Sequence, residues 1–166
     1  MPCRAWQLAP SPEPRHNLAM ALLSTADQDK LRESFGEMTS NVRVLFFTQT
    51  LGCETCLHTR QILDEFPALS DKIVIEEVNF VLEKERAAQY GIDRVPALAL
   101  VAEDDTGEAA DSRIRFLGAP SGYEFVSLVQ AVLLVGGRSP SLTEENRQKL
   151  AAVTRPMTLQ VFTTPT

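Results

Sequence analysis

Two cysteines separated by two residues are the part of this sequence best suited to chemistry. Cys53 and Cys56 lie where an apolar run ends and a helical pattern begins. A thiol at the start of a helix faces unpaired backbone N–H groups and the positive end of the helix dipole. Both stabilise a thiolate, so we expect the pKa of Cys53 to lie below the free-thiol value of about 8.5.

A Cys-x-x-C pair is also half of a common type of zinc site, which needs four ligands. The chain has no second such pair, and its other candidate ligands are Cys3, His16 and His58. Cys3 and His16 are far from the pair in sequence, and His58 lies on a different face of the predicted helix. The sequence therefore favours a redox dithiol, and we predict neither a metal nor a cofactor.

The residues around the cysteines predict a strand, a loop and a helix. Positions 42–47 are mostly β-branched or aromatic, which is typical of a buried strand. Gly52 can adopt a positive φ in the loop, and apolar residues then recur at helical spacing until Pro67. This pattern places Cys53 at or next to the N-cap of the helix and Cys56 one turn further in.

The rest of the chain predicts an α/β domain. The order is helix, strand, helix, strand, helix, strand, strand, helix, from a helix capped by Ser24 or Thr25 to an apolar helix over residues 123–135. Strand–helix–strand units indicate a parallel pair, and the last two strands indicate a hairpin. We therefore predict a mixed four-stranded central sheet with helices on both faces.

The chain divides into three predicted regions. Residues 1–19 are rich in proline and lack periodicity, which predicts a disordered N-terminal extension. Residues 20–138 hold the predicted domain. Residues 139–166 repeat its opening, with a capped helix, a polar break, an apolar strand and a Thr-rich loop. This region is either a truncated second repeat or a helix and strand that complete a single domain.

Composition restricts the class of protein. The 166 residues, 44% hydrophobic and 23% charged, suit one soluble globular domain. The net charge of −6 argues against a nucleic-acid partner, and no apolar run approaches the ~18 residues of a membrane span. Three cysteines and the lack of an apolar signal-peptide core predict a reducing, cytoplasmic location.

A proline near the start of the third strand bears on the same site. Pro96 has no N–H to donate to a strand ladder, so the backbone of Val95 can pair with an extended substrate segment instead. Cis peptide bonds occur essentially at proline. We predict a cis bond between Val95 and Pro96 and expect this loop to lie against the dithiol; the alternative is a trans proline at a strand start.

Three separated motifs resemble the N-terminal unit of the glutaredoxin-like protein disulfide oxidoreductases, which resemble two thioredoxin folds in tandem. The motifs are TQTLGCETC at 48–56, DRVPA at 93–97 and FLGAPSGYEF at 116–125. The likeness covers about residues 20–166. It implies a thioredoxin-like fold in which Cys53 is the attacking thiol, Cys56 is the resolving thiol and Pro96 is the cis-proline.

The resemblance also implies a function, a thiol–disulfide oxidoreductase that acts on protein disulfides or dithiols. The expected substrate-binding residues are Val95 and Pro96, together with Glu54 and Thr55 between the cysteines. The expected electron donor is a thioredoxin-reductase-type enzyme or glutathione.

The sequence departs from this family in two places. Glu54 brings a negative charge next to Cys53, which opposes the helix dipole. Phe47 stands six residues before Cys53, where thioredoxin-like proteins carry a buried Asp for proton transfer. We expect a water molecule or Glu54 to take over that transfer.

Two further functions remain open on the sequence. A thioredoxin-like docking module with little turnover is favoured by the absence of a second cysteine pair. A dimer that shares an iron–sulfur cluster through two Cys53 thiolates is the other. The apolar residues 159–162 can add to the sheet of the same chain, pair with a second molecule or fray, so a homodimer is also considered.

Overall fold

A computed structural model describes residues 22–104 and 106–164, so the predicted extension at residues 1–19 lies outside the described residues. The elements are α1 (Thr25–Gly36), β1 (Asn41–Thr48), α2 (Cys56–Leu63), β2 (Ile73–Asn79), α3 (Lys84–Gln89), β3 (Ala97–Glu103), β4 (Ala109–Leu117), α4 (Tyr123–Val135) and α5 (Glu144–Ala151). Up to α4 this is the predicted order. Among the helices of the described residues, none combines the length and hydropathy that a membrane crossing requires.

The four strands form one mixed sheet in the order β2-β1-β3-β4. β1 and β2 run parallel, whereas β3 is antiparallel to both β1 and β4. β1 is an inner strand, and six of its eight residues are buried, as the consecutive apolar residues 44–47 require. The predicted mixed four-stranded sheet is confirmed.

Two apolar cores lie on opposite faces of this sheet. The larger core packs Val42, Val44 and Phe46 of β1 against α1, α2 and α4. The smaller core packs Leu45 and Phe47 against α3. Since successive side chains of a strand point to opposite faces, β1 contributes to both cores, as does β3. Burial of each such side chain contributes about 1.5–3 kcal/mol, so β1 anchors both layers of helices.

Three aromatic rings join the helices of the larger core. Phe66, just beyond α2, lies 5.9 Å from the ring of Phe35 in α1 and 5.8 Å from the ring of Phe125 in α4. α1 begins where its sequence predicts, because the Ser24 hydroxyl accepts a hydrogen bond from the backbone N–H of Asp27 at 3.2 Å. These contacts fix α2, and with it Cys56, against the sheet.

α2 begins later than the sequence predicts. Cys56 is its first residue, and the N-cap is Thr55, whose side chain makes no capping hydrogen bond. Cys53 therefore precedes the N-cap by two residues. The chain turns at Gly52, which has a φ of 73°, and the first helical hydrogen bond runs from Thr59 N–H to the Thr55 carbonyl at 2.9 Å. The helix dipole consequently acts on Cys56 more directly than on Cys53.

The region after residue 138 keeps its predicted helix and lacks its predicted strand. α5 is capped by Thr143, whose hydroxyl accepts from the backbone N–H of Asn146 at 3.3 Å. Residues 158–164 form no strand, and Leu159 and Phe162 are exposed. The strand prediction was wrong for these residues because a strand needs a neighbouring strand for its hydrogen bonds, and the four-stranded sheet does not extend to them.

Candidate functional site

Cys53 and Cys56 are joined by a disulfide, with their Cα atoms 5.4 Å apart. Cys53 is half-buried and packs on the edge of the larger core, whereas Cys56 is only 6% exposed and belongs to that core. The pair thus has an outer sulfur that a large partner can reach and an inner sulfur that it cannot. This asymmetry suits two successive steps of thiol–disulfide exchange.

The disulfide lies at the edge of the sheet where the parallel strands β1 and β2 end. Thr48, the last residue of β1, is in register with Asn79, the last residue of β2. On the other side of β1, Phe47 is in register with Ala97, the first residue of β3. The cysteine loop follows Thr48 and Pro96 precedes Ala97, so the sheet register brings both to the same edge.

The peptide bond between Val95 and Pro96 is cis, which is the conformation expected from the sequence. Val95 and Cys53 are both half-buried and pack against the same core. The Pro96 carbonyl accepts a hydrogen bond from the Gly118 N–H at 2.9 Å. Within the described residues, the hydrogen bonds found outside helices and strands leave the Val95 backbone free.

The third motif of the sequence reaches the same region. Its loop joins β4 to α4, and Pro120 and Phe125 line a cavity of about 230 Å³ together with His58 and Ile62 of α2. His58 is exposed on α2. In the described part of the chain, no group of three or more His, Cys, Asp or Glu side chains is arranged to hold a metal ion.

A second cavity, of about 250 Å³, opens beside the disulfide between α2 and the ends of β1 and β2. Both cysteines line it. The polar side chains that line it are Thr48, Gln49, Thr50, Arg60, Glu77 and Asn79. The disulfide is therefore flanked by a cavity with both polar and apolar lining residues, and this cavity reaches Cys56.

An ion pair joins α2 to β2 at this second cavity. Arg60, one helical turn after Cys56, pairs with Glu77, and its guanidinium carbon lies 5.6 Å from the centre of the Phe46 ring. Glu77 is in register with Phe46, so both point to the α2 side of the sheet. Neither charged residue was predicted from the sequence. The four-residue spacing from Cys56 was a signal for Arg60, but no sequence signal marks Glu77.

The other residues predicted for the site have different positions. Glu54 and Thr55 are exposed on the turn between the cysteines, and neither lines the cavity beside the disulfide. Phe47 is fully buried on the opposite face of the sheet. The structure thus offers no support for Glu54 as the group that exchanges a proton with Cys56.

Charged groups near Val95 are neutralised locally. The Arg94 guanidinium donates two hydrogen bonds to the Asp93 carboxylate, at 2.8 and 2.9 Å. These bonds hold the pKa of the exposed Asp93 carboxyl below its usual range. The loop before Pro96 therefore presents a paired charge to a partner.

No protein-family model matches the sequence. Over 78 residues the chain is 30% identical to a probable thioredoxin of Methanothermobacter thermautotrophicus, and the alignment spans 46% of this chain and 80% of that protein. The chain belongs to the thioredoxin family. The thioredoxin-like fold expected from the motifs is confirmed.

Solved structures extend this relationship. The N-terminal domain of alkylhydroperoxide reductase AhpF from Enterococcus faecalis superposes with a TM-score of 0.69 and 28% identity, over 80% of this chain and 62% of that chain. A protein disulfide oxidoreductase from Aeropyrum pernix, at 23% identity, shares the fold with a TM-score of 0.62, over 78% of this chain and 54% of that chain. This thioredoxin-family chain thus covers less than two thirds of each.

A longer relative contains a similar segment. Over 84 residues the chain is 33% identical to a protein named NADH dehydrogenase in Bacillus subtilis, and the match spans 51% of this chain. It covers only 13% of that relative. The similar segment is therefore a small part of the longer protein.

Proposed function

We propose that this protein is a thiol–disulfide oxidoreductase that acts on protein disulfides or dithiols. The observation that carries the proposal is the disulfide itself, with an outer Cys53 and a buried Cys56 at the sheet edge that also holds Val95 and Pro96. Membership of the thioredoxin family supports the same chemistry.

In the proposed reaction the Cys53 thiolate attacks one sulfur of a substrate disulfide. The Cys53–substrate bond forms, the substrate S–S bond breaks, and the departing sulfur leaves with the electron pair and takes up a proton. Cys56 then attacks Cys53, which closes the Cys53–Cys56 disulfide and releases the second substrate thiol. The substrate gains two electrons, and the reverse sequence oxidises a dithiol.

The proposed substrate surface surrounds Cys53. The Val95 backbone is available for pairing with an extended segment, and Pro96 fixes the direction of that loop. Glu54 and Thr55 are exposed beside the outer sulfur. An unfolded or loop-borne disulfide suits this surface because it can extend along Val95.

The proposed electron donor is an NADH-linked dehydrogenase of the thioredoxin-reductase type, with glutathione as the alternative. The similarity of this chain to a segment of a protein named NADH dehydrogenase supports the first. A cytoplasmic location and a homodimer remain predictions from the sequence. Comparison of NADH, NADPH and glutathione systems as reductants of the Cys53–Cys56 disulfide distinguishes the donors.

Reduction of insulin disulfides by dithiothreitol tests the function. We expect Cys53→Ser to lower the catalysed rate by at least about 100-fold, because it removes the nucleophile. Cys56→Ser should accumulate mixed disulfides that non-reducing gels resolve. Cys3→Ser is the matched control, because it removes a thiol outside the pair. A Cys53→Ser variant that still reduces insulin would contradict the assignment.

A docking module with little turnover is the second candidate. Leu51 and Leu57 are exposed beside the disulfide, which favours a protein partner for this surface. The reaction of Cys53 with iodoacetamide across pH separates the two functions. A thiol pKa near 8.5 or above indicates the passive module, and a lower pKa indicates the enzyme.

We further propose that residues 139–166 are the start of a second thioredoxin-like unit, which follows the domain at residues 20–138. The caps of the two helices support this, because Ser24 and Thr143 share a φ of −64° and a ψ of 154°. Each hydroxyl accepts from the backbone N–H three residues later.

A further inference from the structure

The resolving step in the proposed function requires Cys56 to lose a proton inside the protein. Cys56 is 6% exposed and belongs to the larger apolar core. Apolar surroundings disfavour a thiolate, so a nearby group that accepts the proton accelerates the step. Phe47, at the position where the related family carries an acid, has no titratable side chain.

Glu77 is the one carboxylate among the described residues that line the cavity beside the disulfide. Its place on β2 follows from the parallel register with β1, which directs it to the same side as Phe46 and α2. Its side chain is 50% exposed, so it can exchange protons with bulk water. Glu54 is closer in sequence to Cys56, but it does not line this cavity.

Arg60 fixes the position of the Glu77 carboxylate. The guanidinium pairs with Glu77 and lies over the buried Phe46 ring, which limits the directions that both side chains can take. Arg60 and Cys56 are four residues apart on α2 and therefore lie on the same helix face. The helix that carries the resolving sulfur thus also carries the residue that holds the carboxylate.

The cavity provides the route for the proton. A volume of about 250 Å³ admits several water molecules, since each occupies roughly 30 Å³ in the liquid. Polar residues such as Thr48, Gln49 and Asn79 are among those that line the cavity, which suits water. A short chain of water can therefore join the Cys56 sulfur to the Glu77 carboxylate.

We propose that Glu77 accepts the proton of Cys56 through this cavity when Cys56 resolves the mixed disulfide, and that Arg60 is its positioning residue. This inference rests on the proposed function. The Cys56 S–H proton passes to the Glu77 carboxylate, and the Cys56 thiolate attacks Cys53. The Cys53–Cys56 bond forms, the Cys53–substrate bond breaks, and the electron pair leaves on the substrate sulfur, which is protonated from water. In the reverse direction Glu77 returns the proton to Cys56.

Stopped-flow reaction of the reduced full chain with Ellman's reagent, in a Cys3→Ser background, separates the two steps. The first release of thionitrobenzoate reports attack by Cys53 and depends on reagent concentration. The second reports intramolecular attack by Cys56 and does not. We expect Glu77→Gln to slow the second step about tenfold at pH 7, below the usual range for acid–base catalysis because the cavity is open to water.

The matched control is Glu85→Gln, which removes the same charge from an exposed position on α3. It should leave both steps within twofold of wild type. Glu77→Gln should also leave the first step within twofold, because Cys53 is the nucleophile of that step. A second step in Glu77→Gln that is within twofold of wild type, or faster, overturns the proposal.

The pH profile separates proton transfer from a structural effect. The loss in Glu77→Gln should shrink toward pH 9, because hydroxide that enters the cavity from solvent can then take the proton of the Cys56 thiol. A displaced Cys56 would slow the second step equally at every pH, and that result also overturns the proposal. Failure of wild type to reduce insulin, with the Glu77 effect intact, would reject the proposed function alone. Insulin reduction without a Glu77 effect would reject the inference alone.

Discussion

The Arg60–Glu77 ion pair should contribute little to stability, although it lies at the proposed site. The two side chains are 37% and 50% exposed, and pairs of that exposure contribute about 0.2–1 kcal/mol. Arg60 also lies 5.6 Å from the Phe46 ring centre, a contact that adds about 0.5–1 kcal/mol. We therefore expect Glu77→Gln to cost about 0.5 kcal/mol and Arg60→Met about 1 kcal/mol in free energy of unfolding.

Urea unfolding of the reduced protein measures this as a double-mutant cycle. The double variant Arg60→Met, Glu77→Gln should cost about the same as Arg60→Met alone, with a coupling energy of about 0.5 kcal/mol. The control pair is Glu145 and Lys149 on α5, which form an ion pair at 2.6 Å with both side chains largely exposed. Its coupling energy should be no larger.

A coupling energy of about 2 kcal/mol or more would refute this reasoning, because it would mean that the pair is shielded from solvent. A slower second step in Glu77→Gln could then result from displacement of Cys56, since the variant would have lost much of its stability. A coupling near 0.5 kcal/mol allows a tenfold kinetic effect of Glu77→Gln to be assigned to proton transfer.

Two further predictions concern the domain around the site. Hydrogen bonds, chiefly from Arg86 and also from Arg43, hold the pKa of the Glu76 carboxyl below its usual value of 4.5. The ionised carboxylate therefore stabilises the folded protein above about pH 4.5, and this contribution is lost as pH falls through the folded-state pKa. Glu76→Gln should therefore lower the free energy of unfolding by about 1 kcal/mol at pH 7 and by less at pH 3. Urea unfolding at both pH values measures this, with Glu85→Gln as the control. An equal loss at both pH values contradicts the prediction. Deletion of residues 139–166 should change the melting temperature of the remaining chain by less than about 2 °C, because residues 139–164 are exposed. Calorimetry measures this change. A larger fall in melting temperature would show that these residues complete the domain.

Helix and strand order could be predicted because it depends on local periodicity. Residues 44–47 are apolar at consecutive positions, which only an inner strand with both faces covered can bury, and β1 is that strand. The cap at Ser24 fixed the start of α1 for a similarly local reason. The start of α2 was misplaced because Cys53, Glu54 and Thr55 form a turn that has no apolar pattern.

The strand predicted at residues 159–162 did not form. Its apolar residues suit a strand, but strand formation depends on a partner elsewhere in the fold. The four-stranded sheet does not reach these residues, and Leu159 and Phe162 remain exposed. Intrinsic preference alone therefore did not produce the strand.

The sequence by itself determined the Cys-x-x-C pair, the order of elements and the strand that leads into Cys53. Each of these depends on residues close together in the chain. Only the tertiary structure decided that Glu77 stands at the cavity of Cys56, because the register of β1 against β2 sets which face it occupies. A shift of one residue in that register would turn Glu77 to the opposite face of the sheet, and nothing local to Glu77 records the choice.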